Sequence, residues 1–274
     1  MQVSHSLVRK IYSPRKPWSH KGDFGRLLVV GGSYLYSGSP TFNAVSAYRS
    51  GCDLVKIAAP EKAAMAIKAY SPDMIANPLR GRCLAKSHVR TVLEMQKRSD
   101  AMVIGGGLTR SSDVLSAIKL ILGKTAIPSV IDADALHAVS GKMKSNAVMT
   151  PNSYEFKVIF GKDPGNSIAD RKKEAKAAAE KFNCTILLKG HVDVISDSSR
   201  TVENRTGSAF MTKGGFGDVL AGICGSLLSR GVEPFDAACA AAYISGRAGD
   251  MAARKFGEGV LASDAMEFIS RALK

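Results

Sequence analysis

The sequence lacks the segments that direct proteins into or across membranes. Its 274 residues include no uninterrupted apolar run of the length needed to span a bilayer. Residues 1–21 are polar and basic and lack the apolar centre of a signal peptide. The five cysteines are scattered and form no Cys-x-x-Cys pair, a pattern typical of buried, reduced thiols. These absences predict a cytoplasmic protein without a membrane partner.

Familiar cofactor motifs are missing as well. There is no Gly-x-x-x-x-Gly-Lys-Ser/Thr loop, and the glycines of Gly31-Gly32-Ser33 do not have the spacing of a dinucleotide fold. The five histidines show no metal-ligand spacing, so we predict no dedicated metal site. A Mg²⁺ ion that arrives with nucleotide phosphates needs one or two carboxylates, and Asp132 or Asp134 could supply them. Capping at a strand end is the slightly favoured alternative for that pair.

Acidic residues are scarce relative to basic ones, with 24 Asp and Glu against 38 Lys and Arg and a net charge of +14. Such a balance can indicate nucleic-acid binding. The basic residues, however, form no dense block and are not interleaved with aromatic residues, so we predict no nucleic-acid partner. The run Arg171-Lys172-Lys173 fits the solvated face of a helix. The positive field also favours a polyanionic small molecule such as a dinucleotide.

Apolar, β-branched runs alternate with helical patterns along the chain, which predicts an α/β fold with a mainly parallel sheet covered on both faces. The predicted strands cover 26–30, 54–58, 102–104, 129–131, 147–149, 185–188 and 192–195. The predicted helices cover 41–50, 61–69, 87–97, 113–122, 168–182, 218–229, 234–255 and 263–273. No repeat or linker divides the chain, so we predict one domain over residues 1–274.

Glycines and polar residues follow several of these strands where they end. Asp132, Asn152 and Lys189 come shortly after three strands, and glycines follow two others. Ligands bind beyond the carboxyl ends of the strands in such sheets, so we expect these residues to line one edge together. Each has an ordinary alternative: the glycines could serve close helix packing, and Lys189 could be merely exposed.

The segment Lys213-Gly214-Gly215-Phe216-Gly217-Asp218 precedes an apolar run and predicts a helix that begins at Asp218. Its glycines leave backbone amides uncovered, and an anion can dock on such amides at a helix N-terminus. A neighbouring carboxylate can accept a proton from a substrate hydroxyl. The alternative is that Asp218 is only an N-cap and the glycines only a turn.

Taken in order, the motifs resemble those of a known family over nearly the whole chain. They are 20–26 (HKGDFGR), 29–33 (VVGGS), 37–40 (SGSP), 105–108 (GGGL), 130–136 (VIDADAL), 150–155 (TPNSYE), 187–190 (LLKG) and 214–222 (GGFGDVLAG). The chain resembles the ADP/ATP-dependent NAD(P)H-hydrate dehydratases, a branch of the ribokinase-like superfamily. The motifs at 20–26 and 130–136 distinguish that branch from sugar and vitamin kinases of the same fold.

The resemblance implies a ribokinase-like three-layer α/β/α architecture and a homo-oligomer. It also implies that the N-terminal epimerase domain of many relatives is missing here. The implied reaction repairs the S-epimer of hydrated NADH or NADPH (NADHX, NADPHX). A phosphoryl group moves from ADP or ATP, with Mg²⁺, to the ring hydroxyl, and phosphate then leaves with help from the ring nitrogen.

The resemblance also assigns roles to individual residues. Asp218 is the implied catalytic base, and the amides of Gly214, Gly215, Phe216 and Gly217 form the implied anion hole. The implied nucleotide contacts are Lys189, Gly190, His191, Val192, Asp193 and Gly217. The implied substrate contacts are Ser39, Gly107, Asn152 and Asp218.

Several residues depart from the family pattern. Asn152, Phe210, Lys213 and Phe216 stand where relatives usually carry other residue types. Lys213 either adds a phosphate contact or points to solvent, and solvent is favoured. The main alternative function is a ribokinase-like kinase of a small hydroxymethyl heterocycle, which would share the fold and the role of Asp218.

Overall fold

The computed structural model describes residues 2–143 and 146–274, and within them nine strands form one sheet. In chain order the strands are β1 (Arg26–Val30), β2 (Leu54–Pro60), β3 (Ile75–Leu79), β4 (Ala101–Ile104), β5 (Ser129–Ile131), β6 (Ala147–Met149), β7 (Thr185–Leu188), β8 (Asp193–Ser196) and β9 (Thr201–Asn204). Across the sheet the order is β3-β2-β1-β4-β5-β6-β7-β8-β9. Strands β1 to β7 pair in parallel, while β8 is antiparallel to both neighbours. The predicted mainly parallel sheet is confirmed.

Helices cover both faces of this sheet. They are α1 (His5–Ile11), α2 (Gly38–Arg49), α3 (Glu61–Tyr70), α4 (Val89–Gln96), α5 (Ser112–Lys124), α6 (Ser153–Phe160), α7 (Ile168–Phe182), α8 (Phe216–Ser229), α9 (Pro234–Phe256) and α10 (Ala262–Ala272). Successive strand residues point to opposite faces. Leu27 and Val29 therefore pack with residues of α2, α8, α9 and α10, and Leu28 and Val30 pack with residues of α4 to α7. The predicted three-layer α/β/α architecture is confirmed.

Four elements were not predicted: α1, β3, α6 and β9. Strand β3 contains Pro78, which a central strand would exclude, but β3 pairs only with β2 and lies at the edge of the sheet. Helix α6 did leave a signal in the sequence. Asn152 accepts a hydrogen bond from the Glu155 amide, and Glu155 accepts one from the Asn152 amide, which is the reciprocal pattern of a capping box.

The start of α8 corrects the predicted boundary. The helix begins at Phe216, with Gly215 as its N-cap in the left-handed region at φ 97°. Asp218 therefore lies in the first turn and is not the N-cap. A Cβ at residue 215 would lie 2.8 Å from both Phe42 and Ala262, so both backbone conformation and space require glycine here.

The motif at 20–26 lies away from the carboxyl ends of the strands, because it leads into the start of β1. Asp53, just before β2, accepts hydrogen bonds from the amides of Gly22 and Phe24 and pairs with Arg15 at 2.8 Å. Burial opposes ionisation of Asp53, but these amides and Arg15 prevail and lower its pKa. The motif thus fixes the segment that leads into β1 against the residue that precedes β2.

Cys52, Cys184, Cys224 and Cys239 are buried thiols without disulfide partners, as predicted, and Cys83 is half-buried. Burial raises the pKa of the Cys184 thiol to about 12. Among the helices in residues 2–143 and 146–274, none combines the length and hydropathy needed to cross a lipid bilayer.

Candidate active site

A cavity of about 760 Å³ lies at the edge where the parallel strands end, which we call the carboxyl edge. Most of the predicted site residues line it: Ser39, Asn152, Lys189, Gly190, His191, Asp193, Gly214, Gly215, Phe216, Gly217 and Asp218. Two do not. Val192 is buried, and Gly107 lies just outside the cavity, where an added Cβ would come within 2.8 Å of the Tyr36 Cβ.

The turn from Gly214 to Asp218 presents backbone amides to the cavity. The first backbone hydrogen bond of α8 runs from the Val219 amide to the Gly215 carbonyl at 3.0 Å. The amides that precede Val219 in this first turn therefore have no acceptor inside the helix. Together with the helix dipole, they form a site suited to an anion.

Asp218 is the acidic residue in this first turn. Burial raises its pKa to about 7, and the charge of Asp132 adds to the rise, although Ser39 and Lys189 act against it. The Asn43 side chain donates a hydrogen bond to the Asp218 carbonyl at 2.7 Å and holds this turn against α2. A carboxylate with a pKa near neutrality is suited to accept a proton.

Lys189 at the end of β7 is paired rather than merely exposed. Its amine lies 2.9 Å from the Asp132 carboxylate and 3.9 Å from that of Glu155. The same Asp132 oxygen accepts a hydrogen bond from the Thr150 hydroxyl at 2.6 Å. Burial disfavours the charged lysine, but the two carboxylates prevail and raise the pKa of Lys189. The lysine is therefore a fixed cation at the cavity wall.

This cation lies beside the anion-binding turn. A Cβ added to Gly217 would be 3.3 Å from the Lys189 amine. Asp132, which the sequence left open between cap and metal ligand, makes no side-chain cap, and its carboxylate orients Lys189. Asp134 holds the Thr109 amide and the Arg110 guanidinium, each at 2.8 Å. Asp134 thus positions the loop after β4.

The turn 189–193 is held in place by hydrogen bonds within it and to neighbouring residues. Asp193 accepts hydrogen bonds from the Gly190 amide at 3.0 Å and from Asn204 at 3.1 Å. The Arg171 guanidinium donates to the Lys189 carbonyl at 3.0 Å and to Ser153 at 2.9 Å. The prediction of a solvated helix face was wrong for Arg171, which is 8% exposed. Its spacing with Ala175, Ala178 and Phe182, which are also buried, was the missed signal.

Two of the residues that depart from the family pattern, Lys213 and Phe216, have structural roles. Lys213 donates hydrogen bonds to the carbonyls of Glu258 and Val260, the latter at 3.0 Å. Lys213 is exposed, as the favoured alternative predicts, and it also lines the cavity, where a phosphate contact stays a prediction. Its amine ties the anion-binding turn to the segment before α10. Phe216 is 6% exposed and packs in the core beneath that turn.

Two features of the cavity surroundings were not predicted. The Ser208 hydroxyl is buried and has no hydrogen-bond partner in the described ranges, although Ser208 lines the cavity. A polar group in that state is available to a ligand. Gly106 is the second feature, since an added Cβ there would lie 2.5 Å from the Asp218 carboxylate and 2.7 Å from the Ser39 Cβ.

Across residues 2–143 and 146–274, no group of three or more His, Cys, Asp and Glu side chains is arranged to hold a metal ion. Asp132 and Glu155 nevertheless place carboxylates at the cavity wall. Mg²⁺ is usually held by one or two carboxylates together with substrate phosphates and water. These two residues therefore fit an ion that enters with a nucleotide.

Comparison with known proteins places this geometry in a family. A family profile described as NAD(P)H-hydrate dehydratase matches residues 27–271. The chain is 40% identical over 279 residues to the ADP-dependent (S)-NAD(P)H-hydrate dehydratase of Cenarchaeum symbiosum, covering 99% of this chain and 96% of that protein. It is 43% identical over 265 residues to the bifunctional NAD(P)H-hydrate repair enzyme Nnr of Pyrobaculum aerophilum, covering 95% of this chain and 52% of that protein. The chain thus spans about half the length of the bifunctional relatives it matches.

Solved structures are similar over almost the whole chain. The ADP/ATP-dependent NAD(P)H-hydrate dehydratase of Bacillus subtilis, co-crystallised with ATP/Mg²⁺, has a TM-score of 0.84 and 25% identity over 99% of this chain and 96% of that one. A ribokinase-like superfamily protein of Enterococcus faecalis has a TM-score of 0.85 and 22% identity, covering 99% and 94%. The ribokinase-like fold prediction is confirmed.

Proposed function

Because the chain belongs to the NAD(P)H-hydrate dehydratase family, we propose that it dehydrates the S-epimer of NADHX and NADPHX at the expense of a nucleotide phosphate. The observation that carries this proposal is the Asp218 carboxylate, with its pKa raised to about 7, beside the uncovered amides of α8 and the fixed amine of Lys189. The proposed proton acceptor, anion hole and phosphate-binding cation all line one cavity.

The proposed first step is phosphoryl transfer. The ring hydroxyl of the hydrated nicotinamide gives its proton to Asp218, and its oxygen forms a bond to the terminal phosphorus of the donor. The bond from that phosphorus to the remaining nucleotide breaks, which gives AMP from ADP or ADP from ATP. The amides of the Gly214–Gly217 turn stabilise charge on the moving group. Catalysis of this kind depends on positioning and electrostatics.

The proposed second step removes phosphate. The ring nitrogen supplies an electron pair that expels phosphate from the neighbouring carbon. Loss of a proton from the next ring carbon then restores the dihydropyridine double bond. Phosphate is a better leaving group than hydroxide, which explains why the repair consumes a nucleotide.

We assign the nucleotide to the flank of the cavity formed by the turn 189–193 and Gly217, where Lys189 faces the phosphates. The substrate ring lies against Asp218, Ser39 and Gly107. Asn152, which pairs with Lys189 after β6 and β7, contacts the substrate from the side of the nucleotide. Ser208 adds a hydroxyl for the nucleotide. Asp132 and Glu155 would hold a Mg²⁺ ion, which neutralises charge on the phosphates when bound.

The donor is proposed to be ADP, because the Cenarchaeum symbiosum relative at 40% identity is named as ADP-dependent. The test supplies purified protein with S-NADHX, Mg²⁺ and either ADP or ATP, and follows the absorbance of the dihydronicotinamide. We expect recovery of NADH with one phosphate released per NADH. No recovery with either nucleotide would overturn the proposed function. A hydroxymethyl heterocycle offered in place of NADHX is the control, and its phosphorylation would favour the kinase alternative.

A further inference from the structure

A cluster of basic and aromatic side chains lies on the carboxyl edge, on the flank of Asp218 away from the turn 189–193. The Lys62 amine lies 4.2 Å from the centroid of the Tyr34 ring, and the Arg82 guanidinium carbon lies 3.7 Å from it. Both are cation–π contacts, which arrange a planar ring and two cations as one unit. We call these three residues the Tyr34 cluster.

The Tyr34 cluster is connected to Asp218 through backbone contacts. Gly106, which crowds Asp218, accepts a hydrogen bond from the Gly32 amide at 2.8 Å. Two residues further on, the Tyr34 amide donates to the Arg82 carbonyl at 2.7 Å. Gly106 follows β4, whereas Arg82 follows β3, three strands away. That is a span of about 14 Å, a distance that an extended dinucleotide bridges.

The loop that carries Arg82 is held in place. Buried His88 accepts a hydrogen bond from the Ala85 amide at 3.1 Å, and its other ring nitrogen lies 3.0 Å from the Arg80 carbonyl. The histidine therefore spans the base of the loop. Cations that are fixed before a ligand arrives bind it with a smaller entropic cost.

The two cations of the cluster have no carboxylate partner. In the described part of the chain, neither Lys62 nor Arg82 forms an ion pair. Glu61 is the single carboxylate in the stretches 60–63 and 79–86 that surround them. Arg suits phosphate because its planar fork of donors matches the phosphate oxygens, and Lys adds a compact charge.

We propose that the Tyr34 cluster is a phosphate subsite for the adenosine half of the dinucleotide substrate, with Lys62 and Arg82 as its ligands. The inference rests on the proposed function and deepens it. With the hydrated ring at Asp218, the rest of the dinucleotide runs past Gly107 and Tyr36 toward β3. Tyr36 is 54% exposed and Leu35 is 73% exposed on this path, which offers apolar surface to the base. The phosphate is either the diphosphate bridge or the 2′-phosphate of the NADPH form.

The test compares Lys62→Ala, Arg82→Ala and the double variant with wild type in steady-state kinetics on S-NADHX and S-NADPHX. We expect the KM for the dinucleotide to rise about tenfold per cation removed, with kcat and the KM for ADP little changed. A higher KM for both substrates would show that the cluster binds the diphosphate bridge. A higher KM for NADPHX alone would show that it binds the 2′-phosphate. Arg82→Lys should recover part of the loss, and Lys68→Ala on the same helix as Lys62 is the matched control.

A binding measurement separates this inference from the proposed function. Calorimetric titration with NADH and NADPH needs no turnover, and we expect weaker binding by the double variant than by Lys68→Ala. If wild type turns over NADHX but the dinucleotide KM and affinity of the variants are unchanged, the subsite is refuted and the function stands. If wild type does not turn over, the titration alone decides the subsite. A higher KM for ADP in place of the dinucleotide would also overturn it.

Discussion

The pKa of Asp218 is set by influences that act in opposite directions. Burial and the nearby Asp132 favour the protonated form, while Ser39 and Lys189 favour the ionised form, and the pKa is raised to about 7. Since only the ionised form accepts a proton, this one residue sets the pH at which the proposed reaction begins.

We therefore predict that kcat/KM for NADHX rises with pH through a midpoint near 7, because kcat/KM reports ionisation in the free enzyme. Below that midpoint the native carboxyl keeps its proton and cannot act as a base. The measurement is a rate profile over about pH 5 to 9, within which the substrate hydroxyl does not titrate. A profile that is flat across this range would contradict the assignment of Asp218 as base.

Position 106 is predicted to require glycine, because there is no space for a side chain between it and Asp218. In Gly106→Ala the new methyl group would lie 2.5 Å from the Asp218 carboxylate, so either the carboxylate or the Ser39 side must move. We expect kcat to fall at least about tenfold, since small displacements of a reacting group are costly. Gly123→Ala is the control, because a Cβ there meets nothing within 4 Å. Equal activity in the two variants would show that Asp218 tolerates the shift.

Among the elements, α8 is the one that most determines the site. Its first turn carries the amides and Asp218, and its body is buried between α2 and the sheet. At Gly222 an added Cβ would lie 2.3 Å from the Asn43 carbonyl of α2. Close packing of these two helices therefore fixes the depth at which the turn enters the cavity. Lys213 also fixes the turn, through its hydrogen bonds to the segment before α10.

Lys213→Met is predicted to loosen the turn, because it removes the amine that binds the Glu258 and Val260 carbonyls. We expect a several-fold fall in kcat together with a higher KM for ADP, because the amides lose their fixed position. Lys213→Arg, which can still donate to the Glu258 and Val260 carbonyls, should retain more activity. Lys119→Met on α5 serves as the control. If Lys213→Met and Lys119→Met show the same kinetics, the tie to the segment before α10 has no part in catalysis.

The strands and helices also show which element boundaries can be predicted from sequence patterns. Strands β1, β5, β6 and β7 match the predicted bounds because each is short, mostly apolar and, apart from Arg26, buried. Strands β3 and β9 were missed because edge strands carry polar residues and, in β3, a proline. The start of α8 was placed two residues late, since the N-cap is a glycine in the left-handed region, which leaves no side-chain signature.

For the whole molecule, the parallel sheet brings distant residues to one edge in an order that follows the strands. The turn 189–193 lies after β7, Gly106 and Asp218 near the middle, and the Tyr34 cluster after β1 to β3. The convergence of strand ends was predictable, because parallel strands share one carboxyl edge. The pairing of Lys189 with Asp132, 57 residues apart, was not, since it depends on which strands are neighbours. The hydrogen-bond partners of Arg171 and Lys213 depend on tertiary contacts in the same way.

The measurement that tests the central claim most directly is a comparison of Asp218→Asn with wild type in two assays, ADP binding and NADHX turnover. Asparagine keeps the size of the side chain but cannot take the proton. We predict an ADP affinity close to that of wild type and a kcat lower by about 10²–10⁴-fold, the usual contribution of a general base. Turnover at the wild-type rate, with the protein folded and ADP bound, would contradict phosphoryl transfer assisted by Asp218.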